Sequence, residues 1–161
     1  MYSLLKVIHI GSLILWLGPA LGSWLVLRYF QQQQGEISSG TSLVYKVFFL
    51  TLTLEHLALC TLLMSGAWMA FGYGWIDMPW LQNKLLLVLL LIVPLEIVDI
   101  WLGNWKVQQL IKKRSLGEAL TSRQQNLIQF YHKGFTNLAL LTLPVTVLAI
   151  MWLAVSKQPL W

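Results

Sequence analysis

Four long apolar runs dominate this sequence and leave little room for any fold other than a membrane bundle. The runs lie near residues 4–27, 43–70, 80–103 and 135–155. The hydrocarbon core of a bilayer, about 30 Å thick, needs roughly 20 apolar residues per helix. With 57% hydrophobic and 11% charged residues, the chain has too few polar side chains to cover a soluble globule. The sequence therefore predicts one all-α integral membrane domain over residues 1–161, a four-helix transmembrane bundle embedded in the lipid bilayer.

Basic residues predict the orientation of this bundle, because short cytoplasmic loops collect Lys and Arg. The segment between the third and fourth runs has one acid, Glu118, and six basic residues: Lys106, Lys112, Lys113, Arg114, Arg123 and Lys133. The turn at residues 72–79 has Asp77 and no basic residue. We expect a long cytoplasmic loop between helices three and four, with both termini outside, in a bacterial inner membrane. No nucleic-acid partner is expected, because anionic lipid headgroups account for this charge.

Six ionisable residues fall inside the apolar runs, and each is a candidate functional residue because charge in lipid is costly. They are His9, Glu55, His56, Lys84, Glu96 and Asp99. At about 1.5 Å of rise per residue, His9 and Lys84 share a layer roughly 7 Å below the outer surface, and His56 lies deeper. His9 and Lys84 are thus the pair that could hold one metal. Lys84 could equally extend its amine to the headgroups.

Small residues lie beside His9 on the first helix. Trp16 falls almost directly below His9, and three glycines form a neighbouring stripe. They are Gly11, Gly18 and Gly22. A smooth groove of this kind suits a planar cofactor. The GxxxG pair within it is equally typical of an ordinary helix-packing surface.

Glu96 and Asp99 stand one turn apart on a single face of the third helix. Two ionised carboxylates in lipid repel each other, so one should hold a proton or a base such as His56 should lie nearby. The pattern predicts a short proton relay from His56 through Glu96 and Asp99. A polar cluster that only fixes helix pairing is the alternative.

Two segments resemble a known family. LKVIHIGSLILW has Lys6 three residues before His9, and WLQNKLLLVLLL has Trp80 four residues before Lys84. They resemble helices one and three of the HemJ-type protoporphyrinogen oxidases. The first also resembles the CopD-like copper-resistance membrane domains and a related group of uncharacterised small four-helix integral membrane proteins. The resemblance implies a haem b whose iron is held by His9 and Lys84. We expect the surface that binds it to include three further residues, Trp16, Gly18 and His56.

The chain also departs from the HemJ pattern. It has Leu95 and Glu96 where HemJ-type chains continue to a Tyr-His pair, and Leu138 after Asn137 where they have a glutamate. These departures remove polar groups that porphyrinogen oxidation would need. They argue against protoporphyrinogen oxidase activity and leave the expectation of haem binding untouched.

Two function hypotheses follow. The first is a b-type haem protein, an oxidoreductase that passes electrons between a quinone or porphyrin-like substrate and an acceptor, with Glu96 and Asp99 moving protons. The second is a non-catalytic membrane subunit or an ion- or metal-handling protein, with copper as the metal. The GxxxG stripe and the small size of the chain favour a homodimer.

Overall fold

The computed structural model describes residues 1–34 and 39–159, and in these ranges every regular element is a helix. Four of the helices described are long and apolar enough to cross a membrane. They are α1, Tyr2–Gln34; α2, Ser39–Gly72; α3, Pro79–Ser115; and α4, Ser122–Ser156. The predicted all-α bundle with four membrane-spanning helices is therefore confirmed.

The connection between α3 and α4 is much shorter than the sequence suggested. Helix α3 continues to Ser115 and α4 begins at Ser122, so the expectation of a long basic loop is wrong. Lys, Arg and Gln are good helix formers, and they carry both helices beyond their apolar segments. Thr121 starts α4 with a capping box, in which its hydroxyl accepts from the Gln124 backbone N–H and the Gln124 side chain accepts from the Thr121 backbone N–H.

Helices α1 and α2 pack antiparallel along most of their length. The ring centroids of Tyr2 and Tyr73 lie 4.9 Å apart near one end of the pair. Near the other end, the Gln31 side chain donates to the Tyr45 hydroxyl over 2.7 Å. Helix α3 packs on α2 and α4. We call the end with Met1 and Pro159 the termini end and the end with the 116–121 turn the basic end. Which end faces the cytoplasm stays a prediction.

The apolar core has two parts. The part nearer the basic end is rich in aromatic residues from α2 and α4, and its buried members are Leu27, Tyr45, Phe48, Phe49, Leu52, Leu102, Val107, Leu110, Ile111, Ile128, Tyr131 and Phe135. The part nearer the termini end is smaller and consists of Trp16, Ala58, Leu59, Leu62, Ile92 and Val147. Polar side chains from three helices meet between these two parts, as described below.

Wide π-helical turns interrupt α3 and α4. They span Val88–Ile92 and Ile100–Val107 in α3, and Phe130–Phe135 in α4. Pro94 follows the first of them, at a point where proline cannot donate the usual backbone hydrogen bond. The other two contact each other at the level of Gly103 and Tyr131. Such turns are frequent at functional sites, because they re-aim the side chains that follow.

Candidate functional site

Glu96 is the centre of a buried hydrogen-bond network. The Trp16 indole donates from Nε1 to Glu96 Oε1 over 2.9 Å, and His56 Nδ1 is hydrogen-bonded to Glu96 Oε2 over 3.0 Å. All three side chains are buried. The network joins α1, α2 and α3, and it occupies both oxygens of the Glu96 carboxyl group.

His56 also faces a second carboxylate. Its Nε2 lies 3.7 Å from Asp99 Oδ2, on the side of the ring opposite Glu96. Asp99 is in turn hydrogen-bonded to the hydroxyl group of Tyr131 on α4. The structure therefore brings together the three residues of the predicted relay and extends them to a fourth helix. Their role in moving protons stays a prediction.

The network lies at the middle of the membrane-spanning helices. Trp16 stands near the centre of α1, His56 near the centre of α2 and Glu96 near the centre of α3. Each helix is long enough to exceed the hydrocarbon thickness at both ends. The ionisable groups are thus as far from water on either side as the bundle allows, where a charge is most costly.

Tyr131 is a site residue that the sequence analysis missed. It was assigned to a loop, whereas it lies on the π-helical turn of α4 with 2% of its surface exposed. Its hydroxyl oxygen would lie 2.6 Å from a Cβ at position 103, so only glycine fits there. Its ring stacks on Phe135. The i, i+4 spacing of Tyr131 and Phe135 and the capping-box pattern of Thr121 and Gln124 were available signals that α4 starts earlier.

A small cavity adjoins the network on the side of the basic end. Its volume is about 90 Å³, and side chains of all four helices line it, including Glu55, Glu96, Asp99 and Tyr131. Two polar atoms at its wall, Glu55 Oε2 and Trp24 Nε1, are buried without a hydrogen-bond partner. Glu55 and His56 are neighbours in sequence and face different surroundings, as their angular separation on α2 predicts.

His9, one of the two predicted haem ligands, is fixed by α2. Its Nδ1 lies 3.0 Å from the Leu62 carbonyl oxygen and 3.1 Å from Ser65 Oγ. Because a carbonyl oxygen only accepts, Nδ1 carries the hydrogen and Nε2 keeps the lone pair that could bind a metal. Lys84 lies close enough to act on His9 electrostatically. The lone pair on His9 Nε2 is thus the group in this layer that could bind a metal.

Gly66 is what allows His9 to approach α2. A Cβ at position 66 would lie 2.9 Å from His9 Cε1, so the ring occupies the space that any larger residue would fill. Neither Gly66 nor Ser65 was predicted from the sequence as a site residue. Glycine within a long apolar helix was an available signal, since it commonly marks a close approach.

The other residues predicted to contact the cofactor either bond to Glu96 or lie on the exposed surface of α1. Trp16 and His56 direct their polar atoms to Glu96. Gly18 and Gly22 are exposed, and a Cβ at either position would meet nothing within 4 Å. This face of α1 is therefore available to lipid, a cofactor or a second copy of the chain. The haem, the homodimer and the quinone or porphyrin-like substrate stay predictions.

A third polar group lies near the basic end. The Gln31 side chain donates to the Tyr45 hydroxyl, and that hydroxyl is hydrogen-bonded to His132 Nε2 over 3.1 Å. His132 and Tyr45 are both buried. The ring centroids of His132 and Tyr131 lie 5.2 Å apart, so this group adjoins the central network.

None of these groups is built like a multi-ligand metal centre. Across residues 1–34 and 39–159, no three His, Cys, Asp or Glu side chains converge on a point where they could hold one metal ion. The central network illustrates the reason, because the His56 ring lies between Glu96 and Asp99 and keeps the carboxylates on opposite sides. A metal held by His9 as its one histidine ligand would not require such a three-residue cluster.

Comparison with known proteins identifies a family for this chain. The model of the DUF2269 family, described as a predicted integral membrane protein, matches residues 3–158. No curated protein and no solved structure matches the chain. The family match agrees with the bundle described above. The relation to HemJ-type and CopD-like proteins stays a prediction.

Proposed function

We propose a proton-transfer function for this chain, which belongs to the DUF2269 family of predicted integral membrane proteins. In this proposal Glu96, His56 and Asp99 take up and release protons at the centre of the membrane, in exchange with the basic end. The observation that carries it is the position of His56, with Nδ1 3.0 Å from Glu96 and Nε2 3.7 Å from Asp99. An imidazole can accept a proton on one nitrogen and release one from the other.

The charge of the cluster supports the same proposal. Glu55, Glu96 and Asp99 supply three carboxyl groups, and His56 can supply at most one positive charge. If every group ionised, two negative charges would remain uncompensated in the hydrocarbon layer, which is prohibitively costly. The cluster must therefore hold protons, and a change in its surroundings would change how many it holds.

A series of polar side chains leads from the network to the basic end of the bundle. Tyr131 connects Asp99 to the neighbourhood of His132, and His132 connects through Tyr45 to Gln31 at the end of α1. Toward the termini end the core around Ile92 and Val147 is mostly apolar, and its buried polar side chains include Ser12 and Thr146. Proton exchange is therefore assigned to the basic end.

Infrared difference spectroscopy of the full chain in lipid nanodiscs tests this proposal. Stepping the pH between acidic and alkaline values should change the carboxyl bands of Glu96 and Asp99. We expect these signals to disappear in Glu96→Gln and Asp99→Asn, because an amide cannot exchange that proton. Glu118→Gln, which alters an exposed acid in the 116–121 turn, is the matched control and should leave them unchanged. If no band depends on Glu96 or Asp99 over the whole pH range, the cluster serves helix pairing only and the proposal is wrong.

We also propose, as a second candidate, that His9 holds a haem b at the termini end. The hydrogen bond from Nδ1 to the Leu62 carbonyl supports it, because this bond orients the ring and leaves Nε2 as a donor. Lys84 would adjoin the group, whereas Gly18 and Gly22 lie on the face of α1 opposite His9, so the expected glycine groove beside His9 is not present. A bound haem would supply one-electron transfer, and the predicted quinone or porphyrin-like molecule would exchange electrons with it.

Visible absorption spectroscopy tests the haem proposal. The purified chain, expressed with haem in excess, should show a b-type reduced-minus-oxidised spectrum and a positive pyridine haemochrome assay. His9→Ala should lose the spectrum, and Lys84→Ala should lose or shift it. His132→Ala, which changes a buried histidine at the other end, should keep it. A colourless native preparation would rule out this candidate and leave the proton proposal standing.

A further inference from the structure

We infer that the cavity beside Glu55 holds a small cluster of water molecules, and that this water makes Glu55 a further proton-exchanging group of the central network. The inference rests on the proposed proton function for its consequence. The presence of water can be tested separately.

Two buried polar atoms point to a ligand in this cavity. Glu55 is 7% exposed, and its Oε2 has no hydrogen-bond partner. Trp24 Nε1 is likewise buried without one. Both residues line the same cavity. Buried polar groups in proteins are almost always satisfied, by protein atoms or by ordered water. The cavity is the space from which both groups could be satisfied.

The two atoms also define the chemistry of the occupant. The Trp24 indole only donates, and an ionised Glu55 carboxylate only accepts. A ligand that serves both must accept one hydrogen bond and donate another. Water does this with a single atom. A bare metal cation could bind Glu55 and would be repelled by the indole N–H.

The size of the cavity is sufficient for water. Its volume of about 90 Å³ is well above the roughly 10–15 Å³ of probe-occupied space that one water molecule requires. A cavity with polar groups in its wall is expected to be wet, whereas a purely apolar one stays dry.

Water in this position would connect Glu55 to the relay. Glu96, Asp99 and Tyr131 line the same cavity, although Glu55 makes no direct hydrogen bond to them through Oε2. Bridging water is nearly as effective as a direct hydrogen bond. Glu55 would then exchange protons with Asp99 through the cluster.

Radiolytic hydroxyl-radical footprinting of the chain in nanodiscs tests for the water, because radicals form from bound water in place and label adjacent side chains. Trp24 should be labelled several-fold more than Trp16, which is buried on the same helix with its N–H bonded to Glu96. The labelling of Trp24 should also exceed that of Trp101. Trp101 lies on α3, two residues from Asp99, and is 52% exposed, so it reports on labelling from the lipid side.

A second experiment fills the cavity with a larger side chain. Ala139→Leu places a larger side chain in the cavity wall and should reduce Trp24 labelling several-fold. Ala149→Leu, a half-buried position on α4 away from the cavity, is the matched control and should not reduce it. Leu143→Phe fills the cavity from another position if Ala139→Leu fails to fold.

The outcomes separate this inference from the proton proposal. Equal labelling of Trp24 and Trp16, or labelling of Trp24 that Ala139→Leu and Leu143→Phe leave intact, means that the cavity is dry and overturns the inference, even if Glu96 and Asp99 change protonation. If the water is found, Glu55→Gln should remove one further pH-dependent carboxyl band. The absence of such a band would overturn the role given to Glu55.

Discussion

Replacing Glu96 with leucine is expected to lower the free energy of unfolding by about 3 kcal/mol, the loss typical of removing one partner from a buried ion pair. The variant leaves Trp16 Nε1 without its acceptor and His56 Nδ1 without its carboxylate, and both atoms are buried. Unfolding of the detergent-solubilised chain, followed by the loss of helical circular dichroism, measures the change.

The size of this loss in unfolding free energy distinguishes an ionised Glu96–His56 pair from a neutral one. Neutral hydrogen bonds between membrane helices contribute on average only about 0.6 kcal/mol. A loss near that value would mean that Glu96 and His56 are both neutral in the resting protein, and would contradict an ion pair. Glu96→Gln keeps the shape and one acceptor oxygen, so it should lose less than Glu96→Leu. Glu118→Leu changes an exposed acid and should stay within about 0.5 kcal/mol of the native chain.

Much of this architecture follows from the sequence, because hydrophobic runs of membrane length have few alternatives. The four spans were predictable on that basis, and so was the shared face of Glu96 and Asp99, since helical periodicity fixes the angle between residues three apart. The depth argument that separated His9 from His56 agrees with their different partners, Leu62 and Glu96.

The sequence could not place what depends on packing between helices. Hydropathy marks the apolar part of a helix, so the extension of α3 to Ser115 and the early start of α4 lay outside the predicted spans. Tyr131 was therefore assigned to a loop, although it completes the network at Asp99. The cavity is even harder to predict from the sequence, because it depends on the positions of side chains from all four helices at once.

The second large effect is expected when the whole hydrogen-bonded group is replaced by apolar residues. The triple variant Trp16→Phe, His56→Leu, Glu96→Leu removes the indole donor, the imidazole and the carboxylate together. Apolar replacement of a complete buried pair is often neutral or stabilising by about 1–4 kcal/mol, because no unpaired polar atom remains. We therefore expect the triple variant to recover most of the stability that Glu96→Leu loses, with the same unfolding assay as the measure.

Proton exchange should not recover with stability, and this divergence is what separates a functional relay from a structural cluster. In the triple variant neither His56 nor Glu96 is present, so Asp99 keeps its bond to Tyr131 and has no relay group left with which to exchange a proton. The pH-dependent carboxyl bands assigned to the relay should be absent from its infrared difference spectrum. A triple variant that regains both stability and those bands would show that protons reach Asp99 without Glu96 and His56. A variant that regains neither would show that the three side chains specify the bundle itself, because a well-packed apolar substitute would then fail where the polar group succeeds.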